Sequence, residues 1–195
     1  MANKRYDHDA IIVGGGPAGA TIARILAGQG KDVLIVDKRK ELGVPVRCGE
    51  MLGISALARE GLKIPRSAFS TRIKGARIYA PDGTSITWMD EGTSGCILER
   101  KFFDKWLCEL AVDKGAKVKT YTRAISILKD DMGKPEGVTV SHGGRDPYDI
   151  HAPLIVSAEG MESMMARQMG FKTVHSLYHV DTCYEYEMKP YEHEN

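Results

Sequence analysis

Residues Asp9–Arg39 read DAIIVGGGPAGATIARILAGQGKDVLIVDKR, and the order of residue types along this stretch decides the fold. Ala10 to Val13 is a short apolar run bounded by turn residues, the pattern of a buried strand. Pro17 suits the first turn of a helix, where a missing N–H costs nothing; Ala18, Ile22, Ile25 and Leu26 then recur at helical spacing until Gly28 and Gly30 close it. Val33 to Val36 is a second apolar run, ending at Asp37. The unit is strand, glycine turn, helix, strand. At its junction Gly14, Gly16 and Gly19 form GxGxxG: the first glycine permits the tight turn, the second lets a pyrophosphate approach the backbone, and the third lets helix and strand pack closely. Unpaired N–H groups at the helix start face the phosphates, aided by the positive end of the helix dipole. Asp37 lies 18 residues after Gly19, where a carboxylate can accept bonds from both hydroxyls of an adenosine ribose and repel a 2′-phosphate. The segment predicts a dinucleotide site and is compatible with NAD or FAD; a glycine-rich turn that packs closely and binds nothing is the alternative.

The bulk properties narrow the field. With 195 residues the chain is long enough for one good-sized core, or for one domain and the beginning of another. Lys+Arg 27 against Asp+Glu 26 gives a net charge of +1, so no global field draws in nucleic acid, and no such partner is expected. The N-terminus lacks an apolar leader and no window is long and apolar enough to span a bilayer, so a cytoplasmic location is expected. Cys48, Cys96, Cys108 and Cys183 are widely spaced without CxxC, which predicts neither a disulfide framework nor a zinc knuckle. His175 and His179 are four apart, but no ligand pattern accompanies them and no metal is expected.

Beyond Asp37 the regular alternation stops. The segment KRKELGVPVRCGEMLG is predicted as a long loop, Ile54–Glu60 as a short helix, and ARIYAPDGTSITW as a hairpin about Pro81, Asp82 and Gly83. Phe103, Trp106, Leu107 and Leu110 form an apolar stripe in a helix predicted from Arg100 to Lys114, with Gly115 as its stop. Strands are predicted at Lys117–Tyr121, Ala124–Leu128, Gly137–Ser141, Tyr148–His151 and Leu154–Val156. A last helix is predicted at Met161–Met169, its methionines read as core filler. A plain NAD domain would continue with a second regular βαβ unit. Here a loop, a hairpin and a helix intervene, and LIVSAEGMESMMARQMG then supplies a second strand, turn and helix able to meet the flavin half of a longer dinucleotide. FAD is therefore the expected cofactor.

Three stretches carry a family resemblance: GGGPAGATIA with Asp37, GVPVRCGEMLG (Gly43–Gly53), and LERKFFDKWLCELAVDKGA (Leu98–Ala116). They resemble the FAD-dependent geranylgeranyl reductases, within the larger group that includes flavin hydroxylases of the p-hydroxybenzoate hydroxylase type. The PVRCGE loop is similar to that of archaeal digeranylgeranylglycerophospholipid reductases. The resemblance runs from Tyr6 to about Met188. It implies an α/β fold: a Rossmann-like FAD-binding domain of the glutathione-reductase and p-hydroxybenzoate-hydroxylase type over residues 1–175, with an inserted hairpin about 74–90, and the start of a β-rich substrate domain over 176–195.

The resemblance further implies reduced FAD saturating isoprenoid double bonds of membrane lipids. Gly14, Gly16 and Gly19 would meet the pyrophosphate, and Asp37 and Lys38 would lie around the adenosine. Cys48, Gly49, Glu50 and Leu52 would run toward the flavin ring, Arg100 would reach the cofactor, and Ala124 would lie beside the adenine. By its own chemistry Cys48 is either a proton relay to an alkene carbon or a buried apolar filler, and Arg100 is either a cofactor contact or a solvated charge at a helix start. A flavin-dependent hydroxylase or halogenase and a non-catalytic flavin-binding or assembly module are the competing functions.

The sequence departs from the family at two places. The second flavin turn usually reads Ala-Asp-Gly, whereas here it is Ala158-Glu159-Gly160, and the added methylene is expected to make the Glu159 carboxylate either miss or reposition the group it should hold, at a cost to cofactor affinity. The family also continues with a YxWxFP-like segment, a GDA turn and a helical region, so the expectation is an N-terminal half: a fragment, a decayed copy, or part of a split enzyme completed by a C-terminal subunit. The implied partners are an isoprenoid lipid and an electron donor, either NAD(P)H or ferredoxin-like. A lipid substrate implies peripheral contact with a membrane surface.

Overall fold

A computed structural model describes residues 6–89, 95–174, 176–180, 184 and 186, without the side chains of 54–56 and 177. His175, Cys183 and most of residues 181–195, within the expected start of the substrate domain, lie outside the described residues.

The opening unit forms as its sequence predicts. β1 (Ala10–Val13) leads through the glycine turn into α1 (Pro17–Gly28), and β2 (Val33–Val36) follows. Every residue of both strands is buried, as expected of strands covered on both faces. β1 pairs in parallel with β2 on one side and with β12 (Leu154–Ser157) on the other; β2 pairs in turn with β8 (Lys117–Lys119), giving the order β12-β1-β2-β8.

Strand alternation divides the interior in two. Ala10, Ile12, Val33 and Ile35 face a core shared with α1 and with α3 (Arg100–Val112), where Ala20, Ala23 and Ala27 of α1 meet Phe103, Leu107 and Ala111 of α3. Ile11, Val13, Leu34 and Val36 face the opposite core, built with Val138, Val140 and Ile150 of an antiparallel sheet and with Met165. That sheet has the order β11-β10-β9, from β9 (Thr122–Lys129), β10 (Pro135–His142) and β11 (Tyr148–His151). Each fully buried Ile or Val contributes about 1.5–3 kcal/mol relative to exposure, so a one-residue slip of β1 would exchange both cores at once.

Several expectations are corrected. The loop after Asp37 ends in a strand, β3 (Met51–Gly53), which pairs with β7 (Gly95–Leu98); β7 also pairs with β4 (Phe69–Ile73). None of these three strands shows period-two alternation over enough residues to announce itself. The predicted helix at Met161–Met169 is split: a 3-10 turn covers Gly160–Glu162, and α4 spans Met164–Gln168 after Ser163 turns left-handed at φ 38°. Its methionines are not all core, since Met165 is buried while Met161 and Met164 are exposed. β8 stops at Lys119 rather than Tyr121, whose φ of 53° turns the chain. The short helix α2 (Ile54–Arg59) and the hairpin of β5 (Gly75–Tyr79) and β6 (Ser85–Met89) match expectation. In the hairpin turn the Asp82 carboxylate accepts bonds from the Thr84 N–H at 2.9 Å and hydroxyl at 2.7 Å.

Candidate functional site

The carboxyl ends of β1, β2 and β12 open into a cleft of about 480 Å³, where ligands of open α/β sheets bind. Its volume falls in the roughly 300–1,000 Å³ range of small-molecule sites. The glycine turn forms its floor. Gly14 has φ +110°, and a Cβ there would stand 2.3 Å from the Ala158 carbonyl oxygen of the neighbouring strand end; a Cβ on Gly19 would stand 1.9 Å from the Gly14 carbonyl oxygen. These two glycines are demanded by packing of the protein against itself. Gly16 differs: it lines the cleft, and a Cβ there would meet no atom within 4 Å. The backbone at Gly16 thus faces open space at the start of α1, a helix with no side-chain cap on its first N–H groups. A phosphate fits this cradle, which combines bare backbone, unclaimed donors and the helix dipole.

The turn is held from both sides. Asp37, 6% exposed, accepts the Gly15 N–H on Oδ2 and the Arg39 N–H on Oδ1, both at 2.8 Å. From the opposite direction the Cys108 thiol donates to the Gly15 carbonyl at 3.4 Å. Burial, reinforced by the nearby Asp104, Asp37 and Glu109 carboxylates, pushes the Cys108 thiol up to about 12 and keeps it protonated as a donor. Asp37 therefore ties the glycine turn to the end of β2 before any ribose is considered. Each carboxylate oxygen keeps a second lone-pair direction, so hydroxyl acceptance remains available to it.

Of the residues predicted from the sequence, Gly14, Gly16, Asp37, Lys38, Arg100, Ala124, Glu159 and Gly160 line the cleft together, whereas Gly19 lies beneath it. Arg100 is not a solvated charge. Its guanidinium donates from Nε to Asp104 Oδ1 at 2.7 Å and from Nη2 to Oδ2 at 2.9 Å, and these bonds hold it charged above its ordinary value against the cost of desolvation. Its backbone N–H donates to Glu50 Oε1 at 2.8 Å, so a carboxylate from the preceding loop sits at the N-terminus of α3. That placement offsets the unfavourable cation at the helix start.

The PVRCGE loop is thereby fastened to α3 at the margin of the cleft, whose lining does not include Cys48, Gly49, Glu50 or Leu52. Glu50 adopts a left-handed φ of 56° and its carbonyl accepts the Leu98 N–H at 2.8 Å, while Leu52 lies in β3 and packs against the core. A Cβ on Gly49 would meet no atom within 4 Å. Cys48 is exposed, which removes the buried-filler reading; its Sγ accepts the Glu50 N–H at 3.4 Å and lies within electrostatic range of Arg100.

Glu159 uses its extra methylene: Oε2 accepts the Ser157 hydroxyl at 2.9 Å and the Met165 N–H at 2.8 Å, bracing the second turn against α4. Glu162 forms an ion pair with Lys38 across the cleft, with Arg47 4.0 Å from its other oxygen, and the Lys38 bond holds the Glu162 carboxyl below its ordinary value. Sequence reasoning missed Glu162, Asp104 and Cys108. The spacing Arg100, Asp104, Cys108, at i, i+4 and i+8, was a readable signal for two of them, since these positions share one helix face. Among the described residues no three His, Cys, Asp or Glu side chains gather as a metal set, and no helix is long and apolar enough to cross a membrane.

Comparison with known proteins agrees with this geometry. Residues 7–189 match the FAD binding domain family. The chain is 38% identical over 183 residues to the digeranylgeranylglycerophospholipid reductase of Methanosarcina mazei, covering 92% of this chain and 44% of the relative. It is 39% identical over 171 residues to that of Thermoplasma acidophilum, covering 86% and 43%. The chain thus spans under half the length of these curated relatives. Among solved structures, a geranylgeranyl bacteriochlorophyll reductase-like protein from Thermoplasma acidophilum superposes with a TM-score of 0.80 at 37% identity, over 87% of this chain and 43% of that one. A myxobacterial FAD-dependent chondrochloren halogenase superposes with a TM-score of 0.66 at 23% identity, over 83% and 39%, a likeness of fold alone. The open backbone at Gly16, the uncapped helix start and the second turn at Ala158–Gly160 fit the cofactor these matches imply, which is FAD. The chain belongs to the FAD binding domain family.

Proposed function

We propose that this chain is the FAD-binding part of an oxidoreductase of geranylgeranyl reductase type, which saturates isoprenoid carbon–carbon double bonds of membrane lipids. The observation that carries the reading is the cleft with an open Gly16 at the start of α1, in a chain 38% identical to a digeranylgeranylglycerophospholipid reductase over 92% of its length. Bound FAD, once reduced, would supply a hydride to one alkene carbon. The residues of the chain do the rest. The glycine turn and the first N–H groups of α1 take the pyrophosphate. Asp37 accepts the ribose hydroxyls on its remaining lone pairs, Lys38 flanks them, and Ala124 forms the wall beside the adenine. Cys48, exposed and beside Arg100, holds at Sγ the proton that the second alkene carbon must receive. An isoprenoid lipid is the substrate, and NAD(P)H or a ferredoxin-like protein the electron source. Such a substrate calls for peripheral contact with a membrane surface, and a C-terminal subunit would complete the substrate site.

The experiment is to load the purified chain with FAD, reduce it with dithionite under argon, and present geranylgeranyl lipid in detergent micelles. Mass spectrometry should find lipid gaining two hydrogens per saturated bond. Lipid of unchanged mass beside stoichiometrically bound FAD, with the completing C-terminal part supplied as well as without it, would sink the reductase reading in favour of a flavin-binding module, and oxygen incorporated on admission of air would favour a hydroxylase.

A further inference from the structure

We infer that Asp104 is a positioning residue for the cofactor, holding the Arg100 guanidinium against an oxygen acceptor of FAD; this rests on the FAD site described above. The Asp104 side chain is 2% exposed, on the buried face of α3 among Phe103, Leu107 and Cys108. A carboxylate there carries a desolvation cost of several kcal/mol, and replacing a buried ion pair with apolar residues is often neutral or stabilising. Fold stability therefore gives this position no reason to be an aspartate.

Geometry does give a reason. The two bonds from Nε and Nη2, at 2.7 and 2.9 Å, are parallel and fix both the plane and the direction of the guanidinium. Without them the long arginine side chain would sample many rotamers. The pairing uses two of the five N–H donors and leaves three, from which Cys48 also takes a hydrogen bond. Arg100 and Asp104 both line the cleft, and the Arg100 side chain is still 21% exposed, so its unused donors are accessible from there. The same helix face touches the glycine turn two turns further on, where Cys108 donates to Gly15. α3 is thus anchored to the phosphate floor at one end and presents a fixed cation further along the same cleft. Lys38, also on the cleft, is already engaged by Glu162. The acceptor for Arg100 is either the shared diphosphate or a group of the flavin half, and the two are separable by ligand.

The test measures dissociation constants of FAD, by flavin fluorescence quenching, and of ADP, by displacement, for the wild-type chain, Asp104→Asn, Arg100→Gln and the double variant. Asp104→Asn should weaken FAD at least tenfold while the melting temperature of the FAD-free chain moves by no more than a few degrees, and it should add nothing in the Arg100→Gln background. An equal loss for ADP places Arg100 on the diphosphate; a loss confined to FAD places it on the flavin half. An FAD constant within twofold of wild type, or a loss that adds to that of Arg100→Gln, overturns the assignment while leaving the cofactor site intact. A wild-type chain that binds neither ligand overturns the site and the assignment together. Should Asp104→Asn fail to fold, Arg100→Lys keeps the charge without the two-bonded geometry; wild-type affinity in that variant would equally overturn the inference.

Discussion

Replacing Gly16 with alanine separates what the glycine turn does for the fold from what it does for the cofactor. Gly16 has φ −77° and ψ −175°, extended values that any L-residue adopts, and an added Cβ meets no atom within 4 Å. The FAD-free variant should therefore be at least as stable as wild type. Gly→Ala at a compatible backbone gains about 0.4–1 kcal/mol from the unfolded state, and a chain of this size gains about 2–4 °C in Tm per kcal/mol. In the proposed site the same methyl group would occupy the space through which a phosphate reaches the first N–H groups of α1. Losing one hydrogen bond to a charged partner costs about 1.5–3 kcal/mol, which at 1.4 kcal/mol per decade is a loss in FAD affinity of about tenfold to over a hundredfold. Gly19→Ala is the control with the opposite order of effects, since its Cβ would lie 1.9 Å from the Gly14 carbonyl oxygen and the fold itself must give way. Thermal melts of the FAD-free chains and flavin fluorescence titrations read both quantities. A Gly16→Ala chain that binds FAD within twofold of wild type would refute the approach of a phosphate to this backbone, and one that melts several degrees lower would refute the open geometry.

Three further outcomes follow from the same site. Glu159→Asp, though it restores the residue usual at this turn, shortens the reach to the Met165 N–H and should cost about 1 kcal/mol by analogy with a lost helix cap, seen as a fall of a few degrees in Tm; an unchanged Tm would mean that this bond is not made. Burial pushes the folded Cys108 thiol up from 9.0 to about 12, so its contribution to stability is complete below pH 9 and is lost as pH rises from 9 toward 12, by up to about 1.4 kcal/mol per unit. Urea denaturation at pH 8 and pH 10.5 should show a smaller alkaline loss for Cys108→Ala than for wild type, and equal losses would contradict the burial of this thiol. Finally, brief alkylation of the native chain followed by peptide mass mapping should label Cys48 well before Cys96 and Cys108, the first being exposed and the others buried; equal labelling would contradict the exposed placement of the loop.

The sequence by itself determined the elements whose information is local. The strand, turn, helix and strand of residues 10–36 were readable because an apolar run, a proline at a helix start and glycines at the turn each act within a few residues. The same locality made the glycine turn, Asp37 at the end of β2, the hairpin at Pro81–Gly83 and the helix from Arg100 legible. Tertiary structure decided whatever depends on distant partners. β3, β4 and β7 gain their ladder hydrogen bonds from one another, so three short, weakly patterned segments become strands only when brought together. Lys38 meets Glu162 across 124 residues of sequence, and Glu50 reaches Arg100 across 50. The stripe Arg100, Asp104, Cys108 is visible in the spacing. Its meaning is not, because only the packing of α3 on α1 turns that face toward the glycine turn, where Cys108 meets the Gly15 carbonyl and Arg100 and Asp104 line the cleft.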